Sequence, residues 1–188
     1  MRSVCLSLAA AMLITSVAYA KAPETSGQNP SPQTINAEAT CPVCGMYPAR
    51  YPKWQIQLIF NDNQMRAFAS GKDLFTYYLN IADYENEYTQ DDIAVIYVKD
   101  FNQGTWIDAK EAYFVVGSEK SGPMGKEIIP FGTDKDAEHF IKMHGGKMSR
   151  FSYINMKTIH DLNMDSMKKM HHMNHKIDKD QRQHHGKE

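Results

Sequence analysis

The sequence predicts an α+β fold of two sequential ββαβ halves that form one compact pseudo-symmetric unit. Three observations lead there. Two helical stretches are each preceded by a pair of strand-like segments and each followed by another strand. The first strand segment alternates apolar and polar residues, as a half-buried sheet requires. Polar segments flank residues 41–155 on both sides, which bounds the globular unit.

The elements follow in chain order. KWQIQLIF, 53–60, sets Trp54, Ile56, Leu58 and Phe60 on one face of a strand. NDN, 61–63, is a turn, and QMRAFA is a short second strand. SGKDLFTYYLN reads as a helix, with Ser70 and Asp73 as a capping box and an apolar stripe of Leu74, Phe75, Tyr78 and Leu79. DIAVIYV, 92–98, is apolar on both faces and predicts a central strand. The second half repeats the order. EAYFVVGS, 111–118, is a strand, and EIIPF, 127–131, is a shorter one whose Pro130 suits a sheet edge. Thr133 caps a helix that turns Ala137, Phe140 and Ile141 inward and stops at Gly145-Gly146. KMSRFSYI, 147–154, closes as a strand. The two halves share little residue identity, so the repeat rests on element order alone.

The flanks carry no such pattern. Residues 1–20 have a basic start at Arg2, an apolar middle and Ala18-Tyr19-Ala20 at the end, which predicts a cleaved secretory signal peptide. Its apolar run is shorter than the ~20 residues that span a bilayer. Cys5 precedes that run, so it leaves with the signal and cannot be a lipid-attachment site. Residues 21–40 are rich in Pro, Ser, Thr and Asn and read as a flexible linker. Residues 156–188 read as a disordered Met/His-rich tail. The whole chain of 188 residues has a formal charge of −1, a balance that gives no reason to expect nucleic acid or a membrane surface as a partner.

Chemistry concentrates in two places. The first is CPVCGM, where Cys41, Cys44 and Met46 fall within six positions. Export puts these thiols in an oxidising compartment, and a disulfide closing so small a loop would stabilise little. Three readings of the motif compete. A thioredoxin-like redox pair needs a thiol at a helix N-terminus, and Gly45 and Pro48 disfavour a helix after it. Structural zinc needs four ligands, and the other candidates, His139 and His144, lie nearly a hundred positions on. Copper(I) accepts two or three soft donors, which a small exposed hook can supply. Met124, in the GPMG loop, is a further exposed thioether. No Ser/His/Asp set and no Gly-rich phosphate loop points to an enzyme.

The second place is the tail. Six of the eight histidines lie in it, and Met164, Met167, Met170 and Met173 recur every three residues. Together with His171, His172 and His175 they make a run of thioether and imidazole donors. That mixture selects copper(I) over magnesium, calcium or zinc. A tethered run of weak sites would raise the copper concentration at one tight site.

CPVCGM, YPKW, IFND, FTYYL, YVKDFNQGTWIDAKEAYFVVGS, GPMG and AEHFIKMHGGKMSRF together resemble the NosL family, accessory proteins of nitrous-oxide reductase, over residues 41–155. The resemblance implies a periplasmic copper(I) metallochaperone, not an enzyme, whose client is a copper enzyme, nitrous-oxide reductase. It implies that Cys44 and Met46 bind the ion, and it promotes Met124 from bystander to ligand. It leaves the role of Cys41 open. Many members are lipoproteins, which this chain's Cys5 does not match. The Met/His tail lies outside the family domain and extends the role toward copper storage or resistance. The rival from another class is a thiol–disulfide oxidoreductase acting on copper-site cysteines.

Overall fold

The structure, a computed structural model, describes residues 29–168. The signal peptide and the tail residues Met170, His171, His172, Met173 and His175 lie outside the described residues.

Among the described residues, seven strands form two antiparallel sheets. The first holds β1 (Ile56–Phe60), β2 (Met65–Phe68), β3 (Ile93–Lys99) and β4 (Trp106–Asp108) in the order β2-β1-β3-β4. The second holds β5 (Tyr113–Gly122), β6 (Gly125–Phe131) and β7 (Lys147–Arg150) in the order β6-β5-β7. Helix α1 (Gly71–Leu79) joins β2 to β3, and α2 (Asp134–His144) joins β6 to β7. The α+β class and the ββαβ order of each half are therefore as expected, with the first strand of each half in the middle of its sheet. The short edge strand β4 is an addition. Pro130 lies on β6, an edge strand, where its missing N–H costs no ladder bond.

The helix starts agree with the sequence reading, with one revision. Thr133 Oγ1 accepts the Asp136 N–H at the start of α2. Ser70 Oγ accepts the N–H groups of Lys72 and Asp73 at the start of α1. The Asp73 carboxylate, however, does not complete a capping box; it turns toward Cys41 instead.

Helix α1 packs across the halves. Its first residue approaches β6 so closely that a Cβ on Gly71 would collide with the Ile128 carbonyl oxygen. One main core joins Leu58, Phe60, Phe68, Leu74, Phe75 and Ile96 to Phe114 and Ile128 of the second sheet. The opposite face of that sheet buries Val115, Ile129 and Phe131 beneath Ala137 and Phe140 of α2.

Two boundaries differ from expectation. The sequence reading made 21–40 a flexible linker, but part of it is tied to the first sheet. The buried Gln57 side chain accepts the Gln33 N–H at 2.7 Å and donates to the Gln33 carbonyl at 2.5 Å. The Tyr97 hydroxyl donates to the Pro30 carbonyl at 3.0 Å. A polar composition hid this because these ties are hydrogen bonds, made largely by the backbone of Pro30 and Gln33, and not apolar contacts. It also explains why all of β1 is buried although its sequence alternates.

The reading of 156–188 as a disordered tail is likewise corrected for its first part. Residues 156–168 form a helix, α3, which buries Ile159 and Leu162. Two apolar residues suffice because they dock on a core already formed, beside Phe151 and Ile154. No helix among the described residues is long and apolar enough to cross a membrane.

Candidate metal centre

CPVCGM folds as a closed loop. The Cys41 N–H donates to the Met46 carbonyl at 2.8 Å, and the Gly45 N–H donates to the Cys41 carbonyl at 2.9 Å. The turn requires a left-handed residue, and Gly45 supplies it with φ of 71°. Cys41 is thereby sealed into the core at 2% exposure, while Cys44 stays half-exposed. No α-helix follows the motif; two short 3-10 turns, Pro48–Arg50 and Pro52–Trp54, do.

The helix that meets the thiols comes from elsewhere in the chain. Asp73, in the first turn of α1, accepts the Cys41 thiol at 3.5 Å. The Cys41 and Cys44 sulfurs and an Asp73 oxygen all lie within 4.8 Å of one another. No other group of three or more His, Cys, Asp or Glu donors comes together among the described residues. Sequence reasoning missed Asp73. Its position three residues after Ser70 looks like a cap, and nothing in the spacing links it to cysteines some thirty positions earlier.

Burial sets the protonation of the trio. Removal from water raises the Cys41 thiol above its ordinary value, and the Asp73 charge adds to that against opposing backbone hydrogen bonds. Cys44 is pushed up strongly, first by burial and then by its hydrogen bond to Asp73. Burial also raises the Asp73 carboxyl, against the thiol hydrogen bonds that hold it down. Both cysteines are free, and burial favours the neutral thiol at each. A low-pKa nucleophilic cysteine, which an oxidoreductase needs, is not what this environment makes.

The methionines fall in three places. Met46 is half-buried, two residues past Cys44. Met124 sits at the β5–β6 turn, between the paired Gly122 and Gly125. The Lys72 ammonium donates to the Met124 carbonyl at 2.6 Å, so this turn and the thiols share the N-terminal end of α1. Met164 and Met167 are exposed on α3.

The histidines of the zinc reading stand apart. His139 is exposed on α2, and His144 pairs with Glu119 at 2.9 Å. Of the aromatics that follow the motif, Trp54 packs on Phe101 with ring centres 5.5 Å apart, and Tyr47 lies under Arg50. Tyr84 is the aromatic that feels the site: burial raises its hydroxyl pKa, helped by the charges of Asp83, Asp73 and Cys41.

Residues 32–159 match the family model named NosL. The chain is 28% identical over 142 residues to the copper-binding lipoprotein NosL of Stutzerimonas stutzeri, covering 71% of each protein. It is 37% identical over 67 residues to the copper-binding lipoprotein NosL of Achromobacter cycloclastes, 30% of this chain and 35% of that one. Its fold resembles the crystal structure of the copper chaperone NosL from Shewanella denitrificans with a TM-score of 0.58 and 32% identity. That likeness covers 68% of this chain and 97% of the other. None of these names describes an enzyme. The family match spans well over half the sequence and takes in the CPVCGM loop, both sheets and both joining helices, and so this chain belongs to the NosL family.

Proposed function

We propose that this protein is an exported, periplasmic copper(I) metallochaperone that supplies a copper enzyme during assembly, with nitrous-oxide reductase as the client its family resemblance suggests. The observation that carries the reading is the convergence of two thiols at the rim of the core, with Met46 on the same closed loop. Cys44 and Met46 are the principal donors, and Cys41 or Met124 supplies a third.

Donor chemistry favours copper(I) over zinc. Structural zinc wants four ligands, whereas among the described residues only one carboxylate joins the two cysteines. Copper(I) is satisfied by two or three sulfurs, and a hard carboxylate is a poor ligand for it. Asp73 therefore serves better as an acceptor for the thiol hydrogens than as a donor to the ion. Each thiol that binds exchanges its S–H bond for an S–Cu bond and releases a proton, with no change in the metal's charge. A small coordination shell lets a client's ligand attach before all of the donor's ligands have left.

The same burial that raises the thiols protects them. Oxidation proceeds through thiolate, and thiols held protonated resist it in an oxidising compartment. Export itself is supported by the signal-like residues 1–20 and by relatives named as lipoproteins.

Anaerobic titration of the reduced full chain with copper(I) against a competing chelator tests this function. Tight binding of copper(I) that Cys44→Ser weakens by two orders of magnitude or more is the expected result. Equal binding by both proteins would remove the ion from the CPVCGM loop and end the proposal.

A further inference from the structure

Helix α3 runs antiparallel to α1, to which it is tied at two points. At one end the Asn80 amide, which follows α1, donates to the Met156 sulfur at 3.2 Å. Seven residues later the Asn163 side-chain oxygen accepts the Lys72 ammonium at 3.0 Å, in the first turn of α1. Ser166 then accepts the Lys126 N–H at 3.1 Å, at the β5–β6 turn. A Cβ on Gly125 would sit 3.0 Å from the Ser166 hydroxyl, so the contact is close.

Helical geometry places Met167 from these contacts. Met156, Asn163 and Met167 are separated by seven and four residues and lie along one flank. Met167 is one turn, about 6 Å, beyond Asn163. That carries it beyond the level of Lys72, whose chain neighbour Asp73 meets Cys41. It is also the neighbour of Ser166, and Met124 is the neighbour of the Gly125 that Ser166 touches. Two thioethers thus flank one contact. Met167 is 53% exposed, so packing does not occupy it.

We propose that Met167 and Met124 form an acquisition site for copper(I), from which the ion passes to Cys44. The proposal rests on the copper(I) reading of the Cys41–Cys44 centre and adds the route by which that centre fills. Two neutral thioethers bind the soft ion weakly and need lose no proton to do so. The Lys72 ammonium, which ties Met124 to α3, disfavours a long-lived cation beside it. In the transfer step the Met167–copper bond breaks and a Cys44–copper bond forms, while Met124 keeps hold of the ion. The thiol proton goes to the Asp73 carboxylate or to water, and copper remains in the +1 state throughout.

The test is the rate at which the reduced full chain loads from a copper(I)–chelator complex, mixed anaerobically and followed by thiolate-to-copper absorption. Wild type, Met167→Leu and Met143→Leu are compared; Met143 is exposed on α2, outside the contacts of α3. Met167→Leu should slow loading by about tenfold, the loss of a local pre-concentrating site. Its equilibrium affinity should stay within about twofold of wild type, and Met143→Leu should load normally. Loading of Met167→Leu at the wild-type rate overturns the proposal, as does equal slowing by Met143→Leu. A loss of equilibrium affinity in Met167→Leu also overturns it, by making Met167 a resident ligand. A wild-type protein that shows no Cys44-dependent absorption would instead bring down the copper(I) reading itself.

Discussion

The Cys41 thiol donates to the Asp73 carboxylate at 3.5 Å, joining residues 32 positions apart. The contact fastens the CPVCGM loop to the start of α1. It also adds to the effect of burial, because an anion beside a buried thiol further opposes thiolate formation.

Replacing the anion should therefore release the thiols. Asp73→Asn removes a negative neighbour that raises both cysteines, so their pKa values should fall toward the ordinary thiol value of about 8.5. Alkylation by iodoacetamide at pH 8 should speed up several-fold at Cys44. The apo-protein should also form a Cys41–Cys44 disulfide faster in air. An unchanged pH–rate profile for alkylation would show that the carboxylate does not govern the thiols.

A second buried carboxylate predicts a pH dependence of stability. Glu127 lies next to the site's supports, accepting the Ser70 hydroxyl at 2.9 Å and the Met124 N–H at 3.3 Å. Burial raises its pKa to about 7 from an ordinary 4.5, against the Ser70 hydrogen bond and the Lys72 charge. The folded state then holds a proton that the unfolded chain has lost. Its stability contribution is complete below about pH 4.5 and is lost as pH rises through about 7. The change amounts to no more than about 3 kcal/mol. Urea midpoints of Glu127→Gln should be flatter than wild type between those limits. Parallel wild-type and variant curves would exclude Glu127 as the source.

Lys72 should prove to be the tie between three parts of the fold. It is nearly sealed from solvent, and its ammonium reaches both Met124 and Asn163. Lys72→Met keeps the apolar stem and leaves both oxygens without their donor. The cost should be about 1–3 kcal/mol. Amide exchange should accelerate across residues 156–168, where α3 loses an anchor. Undiminished protection there would mean that Ile159 and Leu162 alone hold the helix.

What was legible in the sequence depended on the range over which the signal acts. Ser70 and Thr133 begin helices by bonding residues two or three positions on, and both were readable. Pro130 declared an edge strand through its own missing donor. The left-handed turn at Gly45 lies within the motif that names the family. Asp73 was misread because its local role as a cap and its long-range role at the thiols use the same position, and only the fold chooses between them. Helix α3 was hidden because two apolar residues cannot stabilise an isolated helix, yet they suffice against a core already formed. Gln57 gave no hint that it would organise residues 30–33, since it bonds their backbone and not their side chains.

The most direct test of the account is copper K-edge X-ray absorption on the reduced full chain loaded with one equivalent of copper(I). The account predicts a two- or three-coordinate ion with a shell of sulfur, and loss of part of that shell in Cys44→Ser. A four-coordinate site, or a shell dominated by nitrogen that survives Cys44→Ser, would place the ion on histidines and contradict the sulfur centre at CPVCGM.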